Sequence, residues 1–142
     1  MDTGVAGFEL RLWIKIKGES ERIILFRKTD TAMLSKKIEF YVSPYSVDHF
    51  EISIDKPGKS SLQLLSDSLK QIDFVNLLSQ DEIKNFDTRY ADSTRYHLEI
   101  STPQYYKLVS YQCPERFATT EPNNKKFSGI ILLLDRYLHL MR

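Results

Sequence analysis

From residue 8 to residue 17 the chain alternates in character. Phe8, Leu10, Leu12, Ile14 and Ile16 are apolar, and Glu9, Arg11, Lys15 and Lys17 between them are charged. Successive side chains on an extended backbone point to opposite faces, so this period of two describes a strand with one buried and one wet face. Such strands belong to antiparallel sheets covered on one side. The same rhythm recurs. Ile38, Phe40 and Val42 alternate with Glu39, Tyr41 and Ser43 up to Pro44, and Phe50, Ile52 and Ile54 alternate with Glu51, Ser53 and Asp55. Lys56-Pro57-Gly58-Lys59 then closes the segment with turn chemistry. Between these, residues 22–27 (with Ile23, Ile24, Leu25 and Phe26) are apolar on both faces, which predicts a central strand. Gly18-Glu19-Ser20-Glu21 has hairpin length and a glycine, and the polar stretch 28–37 reads as a loop.

Beyond residue 59 the period changes. Ser60-Ser61-Leu62-Gln63 has the form of a capping box, followed by Leu62, Leu65, Leu69 and Ile72 at helical spacing. Phe74, Leu77 and Leu78 extend the apolar surface as the chain leaves this helix. Ser79-Gln80-Asp81-Glu82 is a second capping box and predicts about two helical turns through Ile83 and Phe86. Residues 87–94 read as polar loop, 95–101 and 105–112 as a hairpin around Thr102-Pro103-Gln104, and 113–124 as connector. The last element is a helix whose stripe is Phe127, Ile130, Ile131, Leu134, Tyr137, Leu138 and Met141, widened by Leu133 and Leu140. Ser128, Asp135, Arg136, His139 and Arg142 hold its polar side, where Leu132 also points. The order β-β-β-β-α-α-β-β-α, without strict βαβ alternation, predicts an α+β fold: a mostly antiparallel sheet with two main helices packed on one face. Residues 8–142 form one domain on this reading, and residues 1–7 a flexible leader, of the kind that joins an export or lipid-anchor signal to a domain.

Composition narrows the functions. Twenty basic and nineteen acidic residues, evenly spread, leave a net charge of +1, so no global field steers the chain toward nucleic acid or acidic lipid. A single cysteine, Cys113, rules out an intramolecular disulfide and a Cys-rich metal site. It leaves the compartment open between cytoplasm and a bacterial periplasm or envelope. The longest apolar run, residues 130–134, is far short of a bilayer span.

Chemical motifs are absent. His49, His97 and His139 show no ligand spacing, no serine lies in a nucleophile elbow, and the five glycines form no phosphate cradle. No catalytic residue, metal ligand or cofactor site follows. The nearest approach to an acid–base group is His97 with Glu99 on one strand face and Cys113 at the end of the next strand. A solvated hairpin face accounts for the first two, and Cys113 has no activating neighbour in sequence. Arg11, Trp13, Lys15 and Lys17 make a basic row with an aromatic on the outer face of the first strand, a pattern able to track a phosphate backbone. The neutral overall charge argues for an ordinary solvated face instead.

The tyrosines are more informative. Tyr96, Tyr105, Tyr106 and Tyr111 crowd the hairpin, with Tyr90 and Arg89 nearby and Arg95 and Arg116 flanking it. Tyr and Arg are enriched at protein–protein hot spots, although tyrosine is also simply a good strand residue. These residues predict a binding surface in which Tyr96, Tyr105, Tyr106 or Tyr111 is the anchor and Arg95 or Arg116 pairs carboxylates.

Residues 60–140 carry a leucine-patterned helix running into Asp73-Phe74 and Leu77-Leu78, a loop with Asp92, a hairpin and a closing Leu-rich helix. This plan resembles the emfourin-type peptidase inhibitors, and equally some uncharacterised bacterial lipoprotein domains. Ser79 stands where those domains often have a proline, and the N-terminal strands exceed what their simplest members need. The resemblance implies a bacterial, non-catalytic binding protein. The expectation is therefore a module that binds another protein, as an inhibitor of a peptidase or an immunity protein against a toxin. The alternatives are an envelope-associated ligand-binding domain with a pocket between sheet and helices, and an enzyme using His97, Glu99 or Cys113.

Overall fold

A computed structural model of the chain describes residues 6–16, 20–42, 47–53, 57–86 and 94–139. Its secondary structure is β1 (Phe8–Lys15), β2 (Glu21–Lys28), β3 (Met33–Val42), β4 (Val47–Ser53), α1 (Lys59–Lys70), β5 (Arg95–Ser101), β6 (Tyr106–Gln112) and α2 (Pro122–Leu138), with 3-10 turns at Gln80–Glu82 and Pro114–Phe117. The fold is α+β. All six strands form one antiparallel sheet in the order β4-β3-β2-β1-β5-β6. The expected leader apart from Ala6 and Gly7, and the expectations at 17–19, 43–46, 54–56, 87–93 and 140–142, lie outside the described residues.

The first strand behaves as its pattern requires. Leu10, Leu12 and Ile14 are buried, and they join Ile24 and Phe26 of β2, Tyr96, Leu98 and Ile100 of β5, and Val109 and Tyr111 of β6 in one core. Helices α1 (Leu62, Leu65, Leu69) and α2 (Phe127, Ile130, Ile131, Leu134, Leu138) close that core from the same side. β2 lies next to the centre of the sheet, as its two apolar faces predict.

Three local features depart from the sequence reading. Helix α1 starts at Lys59, with Gly58 as N-cap and no side-chain cap, so Ser60 and Ser61 sit inside the first turn. Pro57-Gly58 bends the chain first, and the Ser61 and Leu62 amides bond to Gly58 O; a hydroxyl can cap only from the residue that precedes the helix. The second capping box does form. Ser79 caps the Glu82 amide, and Glu82 Oε2 accepts from Ser79 N–H at 2.6 Å, but the segment stays a single 3-10 turn. Helix α2 begins inside the expected connector, at Pro122, where Pro at N1 follows a Glu121 side chain that accepts from Asn124 N–H at 2.7 Å.

The larger departure concerns β3, which begins inside the expected loop and turns its apolar residues away from the helices. The turn after β2 pairs Lys28 with Met33, so Ile23 faces Ile38 and Ile24 faces Lys37. Directly paired residues share a face. Ile38 and Phe40 therefore lie with Ile23 on the face opposite the helices, and β4 continues the pattern with Phe40 opposite Phe50 and Ile38 opposite Ile52. The helix-side positions of β3 are instead Met33, Ser35, Lys37 and Glu39.

Candidate functional site

The sheet face opposite the helices is covered by none of the described elements. Its two flanks are apolar. On the β2–β4 side lie Ile23, Leu25, Leu34, Ile38, Phe40, Phe50 and Ile52, interrupted by Lys36 opposite Leu25, with the Phe40 and Phe50 rings 6.3 Å apart. Phe50 is 60% exposed and Ile52 56%, and Trp13 on neighbouring β1 is 37% exposed. On the β6 side Tyr106 (51%) and Leu108 (49%) occupy the same face, in register with Ser101 and Glu99 of β5. Among the described residues, the other large apolar side chains that meet solvent, Leu64, Val75, Leu78 and Leu132, are scattered over the helices and connections.

Charge fills the strip between the flanks. Glu9 is only 3% exposed although it points to this open face. Arg27 grips its Oε2 through Nη2 at 2.5 Å and Nε at 2.6 Å, and Arg11 Nη2 sits 2.5 Å from Oε1. Arg11 Nη1 also reaches Glu99 Oε2 at 3.5 Å. Lys15 pairs with Glu21 at 2.8 Å. Arg11 and Lys15 of the basic row are thus each paired with a carboxylate on their own face, and Lys17 lies outside the described residues. The open face therefore carries a paired charge strip at its centre and exposed apolar side chains on both flanks.

The six expected binding residues separate. Tyr96 and Tyr111 are buried, at 6% and 2% exposure, and act as core. Tyr111 stacks on Phe127 with centroids 4.1 Å apart, Tyr96 meets the same ring edge-on at 6.0 Å, and the Tyr111 hydroxyl donates to Leu78 O. Burial, with smaller contributions from Glu115 and Cys113, pushes the Tyr96 phenol up to about 12, and burial with Glu121 and Glu82 raises Tyr111 further. Both side chains face the helices because they alternate with His97 and Ser110, so they are unavailable as surface anchors. Tyr105 is half-buried and also lies on the helix side, against the core. Tyr106 and Arg95 are exposed on the open face, and Arg116 is exposed in the 3-10 turn Pro114–Phe117. Phe50, Ile52 and Phe40 were missed. The signal for them was present in the double-faced apolarity of residues 22–27, which needs a second apolar neighbour on each face.

The residues of the enzyme alternative are not brought together. His97 Nδ1 is hydrogen-bonded to Ser110 Oγ at 2.7 Å, beside a shallow cavity of about 250 Å³ that Asp81 and Arg95 also line. Neither Glu99 nor Cys113 lines it. Cys113 is half-buried at the end of β6, in a left-handed conformation (φ 45°), with its N–H bonded to Thr94 O. Among the described residues no cluster of three or more His, Cys, Asp or Glu is placed to hold a metal, and no helix is long and apolar enough to cross a membrane. No family model matches the chain, and comparison with curated proteins finds no match.

Proposed function

We propose that the chain is a non-catalytic protein-binding module that docks its partner on the sheet face opposite the helices. The carrying observation is that Trp13, Phe50, Ile52, Tyr106 and Leu108 expose large apolar surface on this one face. A monomer in water keeps so many large apolar side chains exposed on one face only at a cost in solubility, and exposed apolar patches mark interaction sites. Phe50 and Trp13 are the anchors of this reading, since rigid aromatic rings deliver area at low entropic cost. The Glu9–Arg11–Arg27–Glu99 strip excludes partners whose own charges do not complement it. An inhibitor of a peptidase, or an immunity protein that occludes a toxin, is the class proposed; its support is the resemblance of residues 60–140 described above.

The test begins with the immobilised protein and source-cell lysate, and proceeds to the affinity of the retained partner for two variants. Phe50→Glu should weaken binding by about 30-fold or more, the loss of one hot spot. Leu132→Glu, on the far side of the molecule, should leave it unchanged. Retention of no stoichiometric protein, or equal affinity for the wild type and Phe50→Glu, would overturn the reading.

A further inference from the structure

On the helix side, where the ends of β1 and β2 meet α1, lies a half-open cavity of about 230 Å³. Phe8, Leu69, Ile72, Phe74 and Tyr105 form its apolar walls, Lys28 and Ser66 its polar corner, and Lys70, which pairs with Asp67, also lines it. Lys28 is the last residue of β2 and shares the helix-facing side with its register partner Phe8. A lysine there is unusual, since every neighbouring helix-side position of β1 and β2 is apolar except Arg22. Its Nζ donates to Ser66 Oγ at 3.0 Å, and Ser66 is only 4% exposed. Among the described residues no carboxylate lies within ion-pair distance of Nζ. The nearest acid on α1, Asp67, is engaged by Gln63 at 3.0 Å and by Lys70 at 3.4 Å. An ammonium has three donors, so Lys28 brings two unused ones to an apolar pocket.

The geometry points to a binding site for a small organic acid with an apolar tail, its carboxylate on Lys28 Nζ and its tail between Phe8, Leu69 and Phe74. This site is independent of the protein-binding face, which lies on the other side of the sheet. The volume sets the size of the ligand: it equals about eight water volumes of about 30 Å³ each, room for a tail of about eight carbons. Aryl-alkyl and straight-chain acids share this chemistry, and the choice between them is an arm of the test.

The experiment is an NMR chemical-shift titration of the full chain with octanoate, 1-octanol, hexanoate and 4-phenylbutyrate. Octanoate should shift the amides around Lys28, Ser66, Leu69 and Phe74. Hexanoate, two methylenes shorter, should bind about 15-fold more weakly. Lys28→Met keeps the stem and removes the charge; it should weaken octanoate at least tenfold and leave octanol within twofold. Ile72→Trp, which narrows the same cavity, should abolish binding of both, so the assignment does not depend on one variant folding. Tighter binding of 4-phenylbutyrate than of octanoate would assign an aromatic tail, and the reverse a straight one. Shifts centred elsewhere, no binding at millimolar octanoate, or equal octanoate affinity for the wild type and Lys28→Met would overturn the site.

Discussion

Replacing Gln80 by alanine probes how the β6 edge of the sheet is held. Gln80 is 4% exposed and makes three hydrogen bonds: Oε1 accepts from Gln112 N–H at 2.9 Å, and Nε2 donates to Gln112 O at 3.0 Å and to Asn124 Oδ1 at 2.9 Å. The side-chain amide thus imitates one residue of a further strand, and Ser79 Oγ adds a fourth contact by accepting from Ser110 N–H at 2.8 Å. Gln112 is half-buried, so water can replace its two lost partners at about 1 kcal/mol each. Asn124 is fully buried, and its orphaned oxygen costs about 1–3 kcal/mol. The variant should lose about 3–5 kcal/mol, short of unfolding a domain whose stability is of order 5–15 kcal/mol. In urea, with a slope of about 1–3 kcal/mol/M, the midpoint should fall by about 1 M or more with the slope unchanged. Amide exchange at Ser110 and Gln112 should accelerate while that of Leu98, inside the sheet, keeps its rank. Asn124→Ala should cost less in the Gln80→Ala background than in the wild type, because both remove the same bond. A midpoint shift below about 0.3 M, or additive losses in the double variant, would refute the reasoning.

Two further outcomes follow from the structure. Gly7 has φ +157°, and a Cβ there would stand 2.2 Å from Lys28 O, a backbone atom, so Gly7→Ala should lower the melting temperature by several degrees in calorimetry. The neutral Tyr96 phenol, pushed up to about 12, is favoured by the folded state, so its contribution is complete below the unfolded value of 10.0 and is lost as pH rises toward 12. Stability measured by denaturant should therefore fall across that window, and Tyr96→Phe should flatten the fall.

Most elements were legible from local periodicity, although the helix expected through Phe86 is a single 3-10 turn and β3 starts inside the expected loop. The alternation of residues 8–17 forces a strand, and the stripe from Phe127 to Leu138 forces a helix, whatever surrounds them. The Ser79–Glu82 box was equally readable, since its two reciprocal bonds are formed within four residues. Where a start was misplaced, another local signal had prevailed: Pro57-Gly58 over the Ser60 hydroxyl, and Pro122 at N1 over the first apolar residue of the stripe. The candidate site was less legible. Arg95 and Tyr106 were picked out by residue type and do lie on the open face, but Tyr96 and Tyr111 were picked by the same rule and are core. Residue type cannot separate a tyrosine that anchors a partner from one that stacks on Phe127.

What decides between those roles is register. The sequence by itself determined that residues 38–42 and 50–52 alternate, and so that one face of each strand is apolar. It did not determine which face of the sheet that would be. The turn that pairs Thr29 with Ala32 and Lys28 with Met33 places Ile38 opposite Ile23, and a shift of a single residue would have placed it opposite Ile24, under the helices. A one-residue slip exchanges the two faces of a strand completely. The open apolar face around Phe50, and with it the proposed docking surface, exists because the tertiary pairing settled that parity.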